Sequence, residues 1–143
     1  MSVYLFGEYK HNLNASGRVS IPPAFREAIG TTVVLVPGPD GQLNGFAPEG
    51  FQEYRETLFD KDGGFDKRNP NHAKIMTSMS RSAKMASFDK AGRLLISEEH
   101  RVATGLEGTV SIVGEGDHFS IWNPEKLDAY TKDANTSFYR HDD

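Results

Sequence analysis

Two short stretches of this chain carry the residues with the most distinctive chemistry. Residues 89–96 read Asp-Lys-Ala-Gly-Arg-Leu-Leu-Ile, and residues 14–21, seventy-five positions earlier, read Asn-Ala-Ser-Gly-Arg-Val-Ser-Ile. In each stretch a glycine can supply the positive φ of a tight turn, and an arginine follows it. A guanidinium offers five N–H donors in a planar fork that matches a phosphate or the O6/N7 edge of guanine. The two turns therefore predict two contact points for a polyanion.

The residue four positions before each arginine could hold the guanidinium in place. Asp89 has the spacing to pair with Arg93, and an oriented guanidinium would be preorganised for a partner. Asn14 can accept a hydrogen bond but cannot form an ion pair, so we expect Arg18 to be held less firmly. The alternative is that the arginines only stabilise their loops. The candidate residues for contact with that polyanion are Arg93, Arg18, Asp89, Asn14, Lys90, Gly92 and Gly17.

The repeated turn belongs to a longer internal repeat. Six identities share the offset of seventy-five, and they include Arg26 with Arg101 and Gly30 with Gly105. After a slip of one residue in a hairpin loop the match resumes, with Pro48 against Pro124. Each half is predicted to run strand, Gly-Arg turn, strand, short helix, hairpin and helix. The predicted segments are 7–59 for the first repeat, 60–82 for a linker and connecting helix, 83–130 for the second repeat, and 131–143 for a polar tail.

The size of the repeat bears on how it must be stabilised. A unit of about 60 residues buries too little surface to be comfortably stable alone. The halves are therefore expected to share one core or to take part of it from another chain.

The pattern of apolar and turn-forming residues predicts the elements that position these turns. Prolines open helices at Pro22-Pro23, Pro48 and Asn123-Pro124, and Ser97 is a good helix cap. Strands are expected at 32–36 and 43–46 and again at 109–113 and 119–122. Inward-facing residues are expected on several helices: Phe25, Ala28 and Ile29, then Phe51, Tyr54 and Leu58, then Ile75, Met76 and Met79, and finally Leu127 and Tyr130.

Charge is distributed unevenly along the chain. The formal net charge is −4, yet residues 67–101 carry eight basic and three acidic residues, whereas both flanking segments are acidic. A basic centre could form a focused patch for a polyanion, or it could be an ordinary solvated surface. The chain has no cysteine and no apolar run of 18 residues, which favours a soluble intracellular protein without a membrane partner.

Other kinds of site are not indicated. The five histidines show no spacing typical of metal ligands, and no phosphate-binding glycine-rich loop, nucleophile elbow or zinc-protease motif is present. We therefore expect neither an enzyme nor a cofactor, a metal or a small-molecule substrate.

Two segments resemble the halves of the MraZ family, which comprises bacterial transcriptional regulators with a duplicated AbrB-like fold. They are residues 13–26, reading Leu-Asn-Ala-Ser-Gly-Arg-Val-Ser-Ile-Pro-Pro-Ala-Phe-Arg, and residues 88–105, reading Phe-Asp-Lys-Ala-Gly-Arg-Leu-Leu-Ile-Ser-Glu-Glu-His-Arg-Val-Ala-Thr-Gly. The resemblance runs from about Gly7 to Tyr130. The Asp-x-x-x-Arg motif of the family is intact at Asp89 to Arg93, whereas Asn14 replaces its aspartate in the first copy. Ser16 and Ala91 stand where the family usually has lysine.

The resemblance implies both a fold and a function. The implied fold is α+β, mainly β: a duplicated AbrB-like swapped-hairpin β-barrel with short flanking helices. The implied function is DNA binding through the two arginines by a ring oligomer, near the promoter of the division and cell-wall gene cluster. The expected operator is a set of short direct repeats with G-rich cores, and the expected location is cytoplasmic and nucleoid-associated. The alternative is a protein-binding module of the AbrB-like antitoxin type.

Overall fold

The computed structural model describes residues 4–134 and 136–138 of the 143-residue chain. The eight strands of this part are β1 (Glu8–Asn12), β2 (Arg18–Ser20), β3 (Thr32–Pro37), β4 (Leu43–Phe46), β5 (Lys84–Ser87), β6 (Arg93–Leu95), β7 (Thr109–Gly114) and β8 (Phe119–Trp122). Its α-helices are α1 (Pro23–Ile29), α2 (Pro48–Thr57), α3 (Pro70–Ser82), α4 (Glu98–Thr104) and α5 (Pro124–Thr131). Two short 3-10 helices cover Asp60–Asp62 and Thr136–Phe138. The predicted α+β class is confirmed, and the sheets hold the core although more residues are helical than extended.

The two halves of the chain exchange strands. A six-stranded antiparallel sheet has the order β1-β7-β8-β4-β3-β5, and a separate two-stranded ribbon pairs β2 with β6. The first strand of each half thus pairs with the third strand of the other half, β1 with β7 and β5 with β3. The remaining strand pairings between the halves join equivalent strands, β2 with β6 and β4 with β8. This reciprocal pairing is the swapped-hairpin arrangement that was expected, and it gives the halves one shared core.

The core lies between the large sheet and the ribbon. Val19 and Leu94 face each other at the centre of the ribbon and are fully buried. Val33 and Leu35 of β3 and Ile112 of β7 are buried in the same cluster. Because successive side chains of a strand point to opposite faces, burying Val19 and Leu94 turns their neighbours in β2 and β6 outward. The ribbon therefore presents one face to the core and the other to solvent.

The two halves differ in length at two connections. Four residues separate α4 from β7, but only two separate α1 from β3. The hairpin loop is one residue shorter in the second half, with four residues between β7 and β8 against five between β3 and β4. The single slip predicted from the sequence is therefore the net result of two changes. The sequence pattern could not separate them, because they partly cancel.

The predicted helix ends are largely confirmed. The Ser97 side chain accepts a hydrogen bond from the His100 N–H at 3.2 Å, and Asn123 accepts one from the Glu125 N–H at 2.9 Å. Gly105 ends α4 in the left-handed conformation. These caps satisfy N–H groups that have no partner within the helix.

The segment between the repeats, predicted to be a polar glycine-rich linker, is held by an aromatic cluster. The His72 ring is 2% exposed and lies 4.2 Å from the ring of Phe59, centre to centre. Its Nδ1 accepts from the Asp66 N–H at 3.0 Å, so Nε2 carries the proton and donates to Asp62 at 2.9 Å. The sequence pattern did not predict this cluster because its most buried residue, His72, is polar and is not marked by apolar periodicity.

Several predicted inward-facing positions are wrong. Tyr130 of α5 is 55% exposed although its ring stacks on the buried Trp122, and Ile75 of α3 is 39% exposed. α2 buries none of its residues fully, although Tyr54 stacks on Phe46 at 4.9 Å. Helices α2 and α3 lie outside the shared core. In the predicted polar tail, residue 135 and residues 139–143 lie outside the described residues.

Candidate nucleic-acid interface

The second Gly-Arg turn is organised by the Asp89 carboxylate. Its Oδ1 accepts from the backbone N–H of Ala91 at 2.9 Å and from that of Arg93 at 2.8 Å. Its Oδ2 accepts from Nε of Arg93 at 3.0 Å, which confirms the pairing expected from their spacing. Gly92 has the predicted positive φ, 75°. Asp89 therefore fixes both the backbone of the turn and the direction of the Arg93 side chain.

The first turn has the same backbone geometry with an amide in place of the carboxylate. Oδ1 of Asn14 accepts from the backbone N–H of Ser16 at 3.0 Å and from that of Arg18 at 2.9 Å. Gly17 has a φ of 86°. The Arg18 side chain donates from Nη1 to Oγ of Ser16 at 3.1 Å. Asn14 thus replaces Asp89 in shaping the turn, but it does not hold the guanidinium.

The ribbon brings both arginines to one carboxylate. Arg18 lies opposite Leu95 and Arg93 lies opposite Ser20 in the β2–β6 register, so both arginines stand on the outward face. Nε of Arg18 is 3.9 Å from Oδ2 of Asp89, the oxygen that also binds Arg93. The side chains of Arg18 and Arg93 are 38% and 43% exposed. Two partly exposed guanidinium groups therefore share a single carboxylate. The contact of Arg18 with the second copy could not be predicted from the sequence pattern.

The electrostatics of this cluster keep Asp89 ionised. The pKa of its carboxyl group is held below the ordinary value of 3.8, chiefly by the hydrogen bond from the backbone N–H of Arg93 and in part by the Arg93 guanidinium. A carboxylate with two nearby cations leaves the cluster with an excess positive charge. That balance suits an anionic partner.

A second pair of arginines packs against the turn glycines, each from the opposite half. A Cβ placed on Gly92 would lie 2.5 Å from Cζ of Arg26, and one on Gly17 would lie 2.9 Å from Nη1 of Arg101. A side chain at either glycine would therefore displace the arginine packed against it, in addition to straining the positive φ. Arg26 also donates from Nε to the Ile21 carbonyl at 3.0 Å, whereas Nε of Arg101 is buried without a partner among the described residues.

This packing explains why Arg26 and Arg101 are identical in the two repeats. Arg26 and Arg101 were visible as a matched pair, but nothing local indicated that each would support the turn of the other half. The signal that could have found them is the duplication itself, because arginine and glycine recur together in both copies.

The basic residues between positions 67 and 101 lie in several different parts of the structure. Arg93 and Lys90 belong to the second turn and Arg101 supports the first. Lys74 and Arg81 lie on α3 instead. Among the described residues Lys90 has no hydrogen-bond or ion-pair partner, and it is exposed, so it can reach a partner beside Arg93. The predicted patch is thus only partly a feature of the turns.

The described residues contain no group of three or more histidine or acidic side chains arranged to hold a metal ion. None of their helices combines the length and apolar character needed to cross a membrane.

The strand exchange and the paired turns define the class of protein: a two-repeat AbrB-like fold in which one Gly-Arg turn comes from each half. Comparison with known proteins agrees. A family described as "MraZ protein, putative antitoxin-like" matches residues 4–68 and 79–143. The transcriptional regulator MraZ of Lactobacillus delbrueckii subsp. bulgaricus is 35% identical over 133 residues, which cover 92% of this chain and 90% of that protein.

Two further relatives carry the same name. The transcriptional regulator MraZ of Acetivibrio thermocellus is 32% identical over 136 residues, covering 92% of this chain and 90% of that protein. The one from Hyphomonas neptunium is 34% identical over 123 residues, which cover 83% of this chain and 72% of that protein. The chain belongs to the MraZ family.

Proposed function

We propose that this chain is a sequence-specific, DNA-binding transcriptional regulator. The observation that carries the proposal is the pairing of Arg18 and Arg93 on one exposed face, where a single carboxylate binds Arg93 at 3.0 Å and lies 3.9 Å from Arg18. Arginine forks suit the O6/N7 edge of guanine, and the exposed Lys90 suits a neighbouring phosphate. The names of the relatives, all transcriptional regulators, support the same function.

The active form that we propose is a ring oligomer. A chain of net charge −4 with two turns neutralises few phosphates, so a single copy would gain little from counterion release. When several copies are joined, each further contact becomes intramolecular, and avidity can exceed single-site affinity by roughly 10²–10⁴. Weak single contacts then add up to tight binding.

The ring also determines the form of the operator. Successive subunits would meet the same groove about once per helical turn, or roughly every 10 bp. The operator is therefore a set of short direct repeats with G-rich cores rather than a palindrome. Membership of the family suggests the division and cell-wall gene cluster as the regulated locus, and this would make the protein nucleoid-associated in the cytoplasm.

The test is a gel shift with the DNA upstream of this protein's own gene, combined with the mass of the free protein from native mass spectrometry. We expect an oligomer that binds this DNA in a salt-dependent way. Displacing one repeat by about 5 bp, half a helical turn, should weaken binding strongly, because one subunit then faces the wrong side of the duplex. Displacement by about 10 bp, a full turn, is the control and should restore much of the affinity.

Different results would contradict different parts of the proposal. Equal affinity for the upstream DNA and for a scrambled fragment would contradict sequence-specific regulation. A monomer in solution, or binding that is indifferent to the half-turn displacement, would contradict the ring mechanism while leaving DNA binding in place.

A further inference from the structure

A groove with both apolar and charged lining lies between β5 and the ribbon, beside the two arginines. Its volume is about 370 Å³, within the usual size range of sites for small ligands. We call it the β5 groove and define it by its lining residues: Arg18, Leu35, Lys84, Met85, Ala86, Ser87, Asp89, Arg93, Leu95, Ser97 and His100. Most of these residues come from the second half of the chain, so the duplication allows the same place to be compared in the first half.

In the first half an aromatic pair occupies the corresponding position. Tyr9 of β1 lies opposite Ile112, and its counterpart Lys84 of β5 lies opposite Leu35. The Tyr9 ring packs edge-on against Phe25 at 5.4 Å between ring centres. Phe25 of α1 and His100 of α4 are counterparts at the offset of seventy-five. Lys84 and His100 replace this pair in the second half, so the position that the partly exposed Tyr9 ring covers in the first half has no ring there and lies in the β5 groove.

The charges around the β5 groove favour an anion. Arg18, Lys84 and Arg93 contribute three cationic side chains, against the Asp89 carboxylate within the groove. Asp89 is already engaged by Arg93 and by two backbone N–H groups. Lys84 is 42% exposed and also pairs with Glu99 at 3.2 Å. A ligand that carries one carboxylate would meet a net positive site.

The deeper part of the β5 groove can accept a ring with a hydrogen-bond donor. Leu35 and Ala86 contribute apolar surface there. His100 is 1% exposed, and its Nε2 lies 2.6 Å from the Ser82 carbonyl oxygen, so Nε2 carries the proton. Nδ1 of His100 is then an acceptor, and it has no partner among the described residues. A buried acceptor without a partner is costly, and a hydroxyl on the ligand would satisfy it.

We propose that the β5 groove binds a small planar ring bearing a carboxylate, a hydroxylated aromatic acid being the chemical class that fits best. The carboxylate pairs with the guanidinium groups at the mouth, and the ring takes the place that Tyr9 fills in the first half. Because Arg18 and Arg93 line the groove, occupancy would compete with DNA. That consequence rests on the proposed function, whereas ligand binding itself does not.

The test uses the full-length protein labelled with ¹³C at the methionine methyl groups and titrated with 4-hydroxybenzoate. Met85 lines the β5 groove, whereas Met76 and Met79 lie on α3 and serve as internal controls. We expect the Met85 methyl signal to shift and those of Met76 and Met79 to stay. Phenol lacks the carboxylate and acetate lacks the ring, so each should bind at least about tenfold more weakly, as loss of a charge-assisted hydrogen bond or of apolar contact predicts.

A filled groove provides the matched variant. Lys84→Tyr with His100→Phe rebuilds the aromatic pair of the first half, and it should abolish the Met85 shift while leaving the α3 methionine signals unchanged. Should that variant not fold, Lys84→Ala keeps the ring space, removes one cation and should weaken binding severalfold. An absent Met85 shift in the natural protein would overturn the proposal. So would equal shifts with phenol and 4-hydroxybenzoate, or unchanged binding in the filled or Lys84→Ala variant.

Discussion

At the scale of single residues, Asp89 links the two turns. Its pairing with Arg93 could be predicted because both residues lie in one turn, four positions apart. Its proximity to Arg18 could not, since that contact depends on the register between β2 and β6, strands seventy-five positions apart in sequence. The expectation that Arg18 would be held less firmly agrees with its 3.9 Å separation from Asp89, compared with 3.0 Å for Arg93.

Removing the charge of Asp89 should lower DNA discrimination more than stability. In Asp89→Asn the amide oxygen can still accept from the turn N–H groups, as Asn14 does in the first turn. Both arginines lose their common ion-pair partner, so we expect the ratio of operator to scrambled-DNA affinity to fall by at least about tenfold, the size of one charged hydrogen bond. Fluorescence anisotropy at fixed salt measures that ratio. Asp117→Asn removes an equal charge outside the turns and should leave the ratio unchanged.

Asp89 should also titrate at an unusually acidic pH. Its folded pKa is depressed, so its interactions contribute stability above the unfolded pKa and are lost as the pH falls through the folded value. We therefore expect its carboxyl ¹³C signal to titrate with a midpoint below 3.8, the ordinary value. Arg93→Ala should move the midpoint upward, and a midpoint unaffected by that change would show that the guanidinium does not contribute.

At the scale of elements, the best-predicted features are those set by local chemistry. Ser97, Asn123 and the prolines marked helix starts because capping depends on neighbours in sequence. The support of Gly92 by Arg26 was not predictable in this way, since it joins α1 of one half to the turn of the other. The exposure of Tyr130 was not predicted for a related reason. The apolar face of α5 was evident from the sequence, but how much of that face other elements would bury was not.

The contact between Arg26 and Gly92 can be tested by a double-mutant cycle. Gly92→Ala introduces a Cβ at a positive φ, which costs about 1–2 kcal/mol, and it also displaces Arg26. Gly63→Ala has a similar φ and nothing within 4 Å, so it isolates the backbone cost. We expect Gly92→Ala to lower the free energy of unfolding by about 1 kcal/mol more than Gly63→Ala, the value of the lost Arg26 hydrogen bond.

The additional loss of unfolding free energy in Gly92→Ala, relative to Gly63→Ala, should disappear when Arg26 has already been replaced by alanine. Urea unfolding measures these free energies. If the additional loss persists in the Arg26→Ala background, steric conflict with Arg26 is not its cause.

At the scale of the whole molecule, the size of the repeat predicted either a core shared by the halves or one completed by another chain, and strand exchange provides the shared core. β1 and β5 each leave their own half to pair with the other, which places the Gly-Arg turns side by side in the closing ribbon. The resemblance implied this interleaved topology, but neither composition nor periodicity could give the registers. The near two-fold relation also shows where the halves differ, as at Lys84 and His100 in place of Tyr9 and Phe25.

The central claim is that Arg18 and Arg93 together read DNA, and a charge-matched comparison tests it most directly. Arg18→Ala with Arg93→Ala removes two positive charges from the turns, and Lys67→Ala with Arg68→Ala removes two from the exposed segment before α3. The measurement is the affinity of each variant for the upstream DNA and for a scrambled fragment, with circular dichroism to confirm folding. Each arginine should contribute about 1–3 kcal/mol of discrimination per site engaged, Arg93 more than Arg18.

We expect the double arginine variant to bind both fragments equally weakly, whereas the Lys67/Arg68 variant should keep the full preference. A natively folded double arginine variant that still prefers the upstream DNA as strongly as the natural protein would contradict the central claim.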